Sequence, residues 1–302
     1  MNVIKPVTIL DSNFIFSNVP EPDTGEALWV GATSYVLGVE VIRPTTHRKY
    51  KNILAGIDAG LPENTPLRWT ESGVTNKYAA LDTLRNTQSA YANSLVIKLM
   101  FTEFIDSIGI IGIEGQSINI KVVSNGVQVY DYTQSLLTRT VNSYYTWAYT
   151  PFRQIESVVR LDLPITANPE ITITILNDTS IAKCGGIIPG RKVYIGDIVY
   201  GSSGDDLNFS TFNRAFDGTS SLVQRRSVPT VEAELSVAKE NVDIIRNLKK
   251  TLNAVPTIWT GLNDTNIDDY FELFLIYGIY KQFSINAAFV SDAKITLKLE
   301  EF

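Results

Sequence analysis

Between residues 170 and 201 the chain reads EITITILNDTSIAKCGGIIPGRKVYIGDIVYG, and its first part alternates Ile171, Ile173 and Ile175 with Thr172 and Thr174. A period of two places three β-branched apolar side chains on one face of a strand and two hydroxyls on the other, the pattern of a half-buried strand. Asn177–Asp178 reads as a polar turn, and the pairs Gly185–Gly186 and Pro189–Gly190 as two further breaks. Val193, Ile195, Ile198 and Val199 then resume an apolar run ending at Tyr200–Gly201. The segment predicts the two closing strands of a β-sandwich. Upstream, Leu95–Phe101 and Ile108–Ile113 are apolar runs of strand length, and Ile118, Ile120 and Val122 alternate with Asn119 and Lys121. Asn125–Gly126 joins that run to Val127, Val129 and Asp131, and an Asn-Gly pair between alternating strands predicts a tight hairpin. The spacing from Leu95 to Tyr200 predicts about seven strands of a sandwich or jelly roll, with no helical pattern of useful length between them.

The flanks read differently. Residues 1–60 predict an extended N-terminal arm with short strands: Val3, Ile4, Val7, Ile9 and Leu10 precede a loop fixed by Pro20, Pro22 and Gly25. Ala27 to Val41 is a β-prone run interrupted by Gly31 and Gly38, and Arg43–Pro44 ends it. After Gly201, Ser202 to Asp206 read as a linker, and Thr211 to Pro229 carry Arg214, Arg225 and Arg226 without clear periodicity. Ala238, Val242, Ile245, Leu248 and Leu252 recur at steps of three and four, with Ser236 as the cap, Lys249–Lys250 in the last turn and Pro256 as the stop, which predicts a helix. Thr257 to Gly261 predict a strand, and Ile295, Leu297 and Leu299 alternate in a final one. The expected organisation is an arm over 1–60, a β-sandwich domain over 61–201 and a small α+β assembly domain over 202–302.

Arg68–Trp69, Thr75–Asn76–Lys77–Tyr78 and Ala80–Leu81–Asp82 occur in that order, followed by sheet strands closing with Tyr194–Ile195–Gly196–Asp197–Ile198–Val199–Tyr200–Gly201. This layout, over roughly residues 60 to 300, resembles structural proteins of tailed-bacteriophage tails and baseplates that carry a galactose-binding-like sandwich. The resemblance implies a mainly β fold, an antiparallel jelly-roll sandwich. It also implies a virion protein that attaches fibres or neighbouring tail proteins. In such proteins a similar ending pairs a tyrosine-glycine turn, here Tyr277–Gly278, with a final strand.

Composition narrows the chemistry. The chain has 302 residues, 44% of them hydrophobic, enough for a substantial core. Its net charge is −6 and its pI about 5.0, which argues against a general nucleic-acid binder. One cysteine, Cys184, excludes an intrachain disulfide and every multi-cysteine metal site; it reads as a small buried hydrophobe. The single histidine, His47, lies in a polar stretch and reads as a surface side chain. Its basic neighbours Arg43, Arg48, Lys49 and Lys51 read as a solvated loop, with contact to an acidic partner as the alternative. The N-terminus lacks the pattern of a cleaved signal, and no stretch reaches the roughly 20 apolar residues that span a bilayer. The expectation is a protein made in the host cytoplasm and carried in the virion tail, with no membrane span.

Catalytic constellations are weak. Asp205–Asp206 and Asp268–Asp269 pair carboxylates, but adjacent strand residues point to opposite faces, so they do not converge as a glycoside hydrolase requires. Asn263 to Asp268 offers oxygen ligands without the glycine and final glutamate of an EF-hand loop. No phosphate-binding glycine motif occurs. The sequence therefore assigns no catalytic, cofactor or metal residues and predicts a non-enzyme, with a glycan-cleaving enzyme as the weaker alternative. The candidate contact residues are aromatic: Trp69, Tyr78, Tyr144, Tyr145, Trp147 and Tyr149. They form either a surface that stacks on host glycans or part of the core and a subunit interface, and the second reading is favoured because aromatics dominate both settings. The expected partners are other tail proteins, tail fibres and further copies of the chain.

Overall fold

The computed structural model describes residues 1–58, 60–139, 141–261, 272–287 and 292–302. The chain is mainly β, and among the described residues every pair of neighbouring strands is antiparallel. A five-stranded sheet runs Val127–Ser135, Ser117–Ser124, Glu170–Cys184, Ser89–Met100, Phe14–Ser17. A ten-stranded sheet runs Ser157–Arg160, Ser107–Ile111, Gly186–Tyr194, Asn2–Pro6, Thr257–Thr260, Leu275–Asn286, Asp292–Glu301 and Ser227–Ala238, with Asp197–Ile198 and Ser203–Asn208 both on the last of these.

The two sheets face each other across one core. Leu95, Ile97, Leu99, Ile118, Ile120, Ile171, Ile173 and Ile175 from the short sheet meet Ile108, Ile110, Val158 and Ile187 from the long one. This is the antiparallel β-sandwich that the alternation predicts, with Thr172 and Thr174 only half-buried on the outer face. The long sheet then continues past the short one and buries a second core. There Val231, Leu235, Ile276, Ile295 and Leu297 pack beneath Ile245 and Leu248 of the helix Val242–Thr251 and Leu252 at its C-terminal cap. At Asn125–Gly126 both residues have positive φ, 50° and 79°, and Ser124 pairs with Val127, so the expected tight hairpin is present.

Several expectations change. Asn177–Asp178 is no turn: one strand runs from Glu170 to Cys184, and the extra residues are absorbed as a bulge between Asn177 and Ile181. Pro189–Gly190 lies inside the strand Gly186–Tyr194. Pro189 there contributes its carbonyl to Val7 N at 2.9 Å, and a Cβ on Gly190 would stand 2.3 Å from the Lys5 carbonyl oxygen. Residues 2–6 of the expected arm sit in the middle of the long sheet, with Val3 in the second core and Ile4 in a third cluster around Ile258 and Tyr277. Hydrogen bonding in the long sheet is thus continuous across residues 60 and 201. The expected linker belongs to the strand Ser203–Asn208, paired with Ser227–Glu232. Ser236 and Ala238 lie in the strand Ser227–Ala238, and the helix begins only after a 3-10 turn at Lys239–Asn241.

A small β module sits beside the sandwich. Glu40–Arg43, Arg48–Asn52 and Trp69–Val74 form one sheet, Thr33–Tyr35 and Gly56–Asp58 another, around a core of Tyr35, Val41, Tyr50 and Trp69. It is tied to the sandwich by half-buried polar contacts. Asn76 Nδ2 donates to the Ala90 carbonyl at 2.8 Å, and Asn76 N donates to Glu26 Oε1 at 2.8 Å.

Candidate functional site

The six candidate aromatics do not form one surface. Trp69 is 2% exposed and packs edge-on against Tyr35 with ring centroids 5.1 Å apart, so it is a core residue of the small module and cannot stack on a glycan. Tyr78 lies on the 3-10 turn Asn76–Leu81, half-buried between the rings of His47 at 3.9 Å and Phe14 at 4.8 Å. It joins module to sandwich.

The other four are brought together on one excursion. The sequence pattern shows no helix there, yet Tyr144–Tyr149 form a six-residue turn of helix because Ser143 caps it, its Oγ accepting from Thr146 N at 3.1 Å. Tyr144, Tyr145, Trp147 and Tyr149 are 82%, 70%, 53% and 72% exposed. Tyr144 stacks with Trp147 at 5.8 Å, and Tyr145 lies tilted against Tyr149 at 5.0 Å. Arg139 stiffens the base: it donates to the Trp147 carbonyl at 2.7 Å and lies over the Phe152 ring at 4.7 Å. The result is a preformed aromatic platform with a cation at its foot.

A second exposed element carries aromatics that sequence reasoning missed. The strand Ser203–Asn208 and its partner Ser227–Glu232 leave the long sheet and continue as the hairpin Thr211–Arg214 with Ser220–Val223. All eight hairpin strand residues are exposed. Phe212 stands opposite Leu222, and Phe216 at the tip is fully exposed at 111%. Arg214 lies 5.5 Å from the Phe212 ring centroid. The signal available in the sequence was Asp217–Gly218, a hairpin-turn pair. In the structure Asp217 Oδ1 accepts from Thr219 N at 2.9 Å and Oγ1 at 2.6 Å, which closes the loop and holds the carboxyl below its ordinary range. The root is anchored by charge. Glu301, buried, pairs with Arg226 at 2.8 Å and with Arg85.

The short sheet ends in the nine-residue strand Val127–Ser135, which among the described residues pairs on one side only. Its middle is stapled to the long sheet. Tyr130 donates to Asp162 at 3.0 Å, Arg160 donates to both, and the Arg160 guanidinium lies 3.9 Å from the Tyr132 ring centroid. Burial, together with the Asp162 charge, pushes the Tyr130 phenol up to about 12 against the opposing pull of Arg160.

Conventional chemistry is sparse. Cys184 is wholly buried, which pushes its thiol up to about 12. His47 is no free surface side chain: its Nδ1 lies 2.9 Å from Glu21 Oε2, and Thr75 donates to the other oxygen at 2.8 Å. Its basic neighbours are largely matched within the module: Arg43 with Glu63 at 3.3 Å, Arg48 with Glu71 at 2.8 Å and Lys49 with Glu26 at 3.0 Å. Asp205 and Asp206 are consecutive residues of one strand. Asp268–Asp269 and the stretch Asn263 to Asp268 lie outside the described residues. Among the described residues no group of three or more His, Cys, Asp or Glu side chains is placed to hold a metal, and no helix is long and apolar enough to cross a membrane. A cleft of about 470 Å³ lies beside Glu301, Arg85 and Glu156. No protein-family model matches the sequence, and no curated protein matches it.

Proposed function

We propose that the chain is a structural protein of a tailed-phage virion, an oligomeric adaptor in the tail tip, baseplate or collar that joins neighbouring tail proteins or fibres and does no catalysis. One observation carries this reading. Both elements that project from the β-body, the helix at 144–149 and the hairpin at 211–223, present large aromatic side chains to solvent on preorganised backbones. Contiguous exposed aromatics of this kind mark protein–protein contact surfaces. The resemblance of the sequence layout over roughly residues 60 to 300 to tail proteins with a galactose-binding-like sandwich is what suggests a virion context. A rigid two-sheet body with an open strand at Val127–Ser135 suits a part that neighbours extend by adding strands. The test is mass spectrometry of density-purified particles from the lysate in which the chain is made. Recovery of the chain in the tail fraction at a fixed ratio to other tail proteins supports the reading; recovery only as free protein overturns it.

The Tyr144–Trp147 and Tyr145–Tyr149 pairs also favour a second reading, a platform that stacks on host surface glycans. Glycan-array binding abolished by Trp147→Ala, with the fold intact, would establish it.

A further inference from the structure

We infer that a cleft of about 360 Å³ at the end of the long sheet is a binding site for a small organic ammonium ion, a compact apolar body carrying one positive charge. The site stands apart from the assembly reading above and does not depend on it.

Three elements build the cleft. The chain leaving the strand Asn2–Pro6, the residues at the end of the 3-10 turn Asn76–Leu81, and the end of the helix Val242–Thr251 meet there. Ile187, Ile188 and Leu252 are buried in its wall, and Val7, Ile9 and Val255 line it half-buried. The volume falls within the range of about 300–1,000 Å³ that ligand sites occupy. An apolar wall of this kind holds an organic body, and the few polar groups set in it decide which charge that body carries.

Here the polar groups select a cation, because they accept hydrogen bonds and have no proton to give. Asp82 is half-buried in the wall, and its carboxylate accepts from Leu84 N at 2.9 Å and from Thr87 Oγ1 at 2.6 Å. An ionised carboxylate accepts at about four sites, so two remain. Among the described residues no cation forms an ion pair with it. Arg48, whose charge reaches it, is paired with Glu71 at 2.8 Å, and Lys5 at the rim is exposed. Burial accordingly raises the Asp82 carboxyl above its ordinary range, against the pull of both hydrogen bonds. Tyr277 spends its hydroxyl proton on the carbonyl of the neighbouring Thr83 at 2.9 Å, and Thr251 spends its own on the Leu248 carbonyl at 2.8 Å. Both oxygens keep acceptor capacity. Thr251 and Leu252 also end a ten-residue helix, whose C-terminus carries a partial negative charge. An anion would meet a carboxylate and a helix C-terminus, and a neutral molecule would leave the carboxylate without a counter-ion. An ammonium ion donates to Asp82 and Tyr277 while its carbon body covers the apolar wall.

The experiment is a ligand-observed NMR titration of the full-length chain with benzylammonium chloride at about 0.15 M salt, where scattered surface charges are screened. Benzyl alcohol and benzoate are the neutral and anionic comparisons. Benzylammonium is expected to bind with a dissociation constant on the order of 1 mM or below. The two comparisons are expected to bind at least about tenfold more weakly. Asp82→Asn, which keeps an acceptor for Leu84 N, is expected to weaken benzylammonium binding at least about tenfold. Val255→Trp, which fills the cleft and keeps the carboxylate, is expected to abolish it. Asp205→Asn, at an exposed carboxylate elsewhere, is expected to bind as the native chain does. Melting curves establish that each variant is folded. The lysine side chain of a neighbouring protein offers the same chemistry as a free amine. A parallel titration with acetyl-lysine methylamide reads that source, and the tighter binder of the two names it. Benzyl alcohol or benzoate that binds as tightly as benzylammonium overturns the inference. So does benzylammonium binding that neither cleft variant reduces, or that Asp205→Asn reduces equally. Absence of saturable binding by either amine up to about 10 mM overturns it as well.

Discussion

Phe212 and Leu222 stand directly opposite each other in an antiparallel hairpin, on one face, and both are more than half exposed. A cross-strand pair of this kind contributes a few tenths of a kcal/mol to about 1 kcal/mol when it is covered. Uncovered, it does little for the protomer. Phe212→Ser and Leu222→Ser should therefore each change the unfolding free energy of the isolated chain by no more than about 0.5 kcal/mol, as expected of surface positions. Urea denaturation followed by tryptophan fluorescence measures this. A loss of several kcal/mol would mean that the hairpin packs into its own chain.

Trp69 behaves in the opposite way. It fills the small module's core with Tyr35, Val41 and Tyr50, so Trp69→Ala should cost about 3–5 kcal/mol. Trp69→Phe, which keeps the edge-on contact with Tyr35, should cost less. Hydrogen exchange should place the damage in residues 33–74, with the strands Ser89–Met100 and Glu170–Cys184 still protected. The excursion at 144–149 and the hairpin at 211–223 should be untouched.

Glu26 gives the joint between module and sandwich an acid limit. Burial opposes its charged form, but hydrogen bonds from Asp23 N at 3.0 Å and Asn76 N at 2.8 Å, with Lys49 at 3.0 Å, outweigh it and hold the pKa below the usual value. A depressed carboxylate stabilises the fold above its unfolded pKa of about 4.3, and the contribution disappears as pH falls through the folded value. Glu26→Gln should lower stability by about 1–2 kcal/mol at neutral pH and flatten the decline below pH of about 4. Thermal melts of both proteins across that range test it; parallel acid limbs would rule Glu26 out as their source.

Cys184 supplies a probe of unfolding. Complete burial with its thiol near 12 leaves almost no thiolate at pH 8, so iodoacetamide should label it only through global opening. Labelling should accelerate with denaturant in step with loss of fluorescence. Rapid labelling of the native chain would show that the sandwich core opens locally.

The sandwich was legible because half-buried strands write their faces into the sequence. Ile171, Ile173 and Ile175 alternate with threonines, and Asn125–Gly126 has the positive φ values that an Asn-Gly turn supplies. A short strand around Val3 and Ile4 was expected, but its central place in the long sheet was not legible, because a strand buried on both faces shows no alternation: Val3 and Ile4 point into different cores. The helix start was misplaced because Val231, Ala233, Leu235 and Val237 alternate as a strand up to Ala238, whose spacing to Val242 happens to match a helical step. Of the candidate aromatics, composition identified residues 144–149 but gave no facing, which Ser143 capping and Arg139 decide. Trp69 lies in the core, in line with the favoured reading of the aromatics, but its partners Tyr35 and Tyr50 are distant in sequence and could not be named from the pattern. The hairpin was not legible because Thr211–Arg214 and Ser220–Val223 show no period-two alternation, leaving only the Asp217–Gly218 pair to mark its turn.

Hydroxyl-radical footprinting of Trp147, Tyr149 and Phe216, in the free protein and in purified tail particles, tests the central claim most directly. These side chains are exposed in the protomer and should oxidise readily in solution. An adaptor joined to its neighbours through the excursion and the hairpin predicts strong protection of all three rings in the particle, with buried Trp259 protected in both states. Rings that oxidise in the particle as fast as in the free chain, or particles that lack the chain, would contradict it.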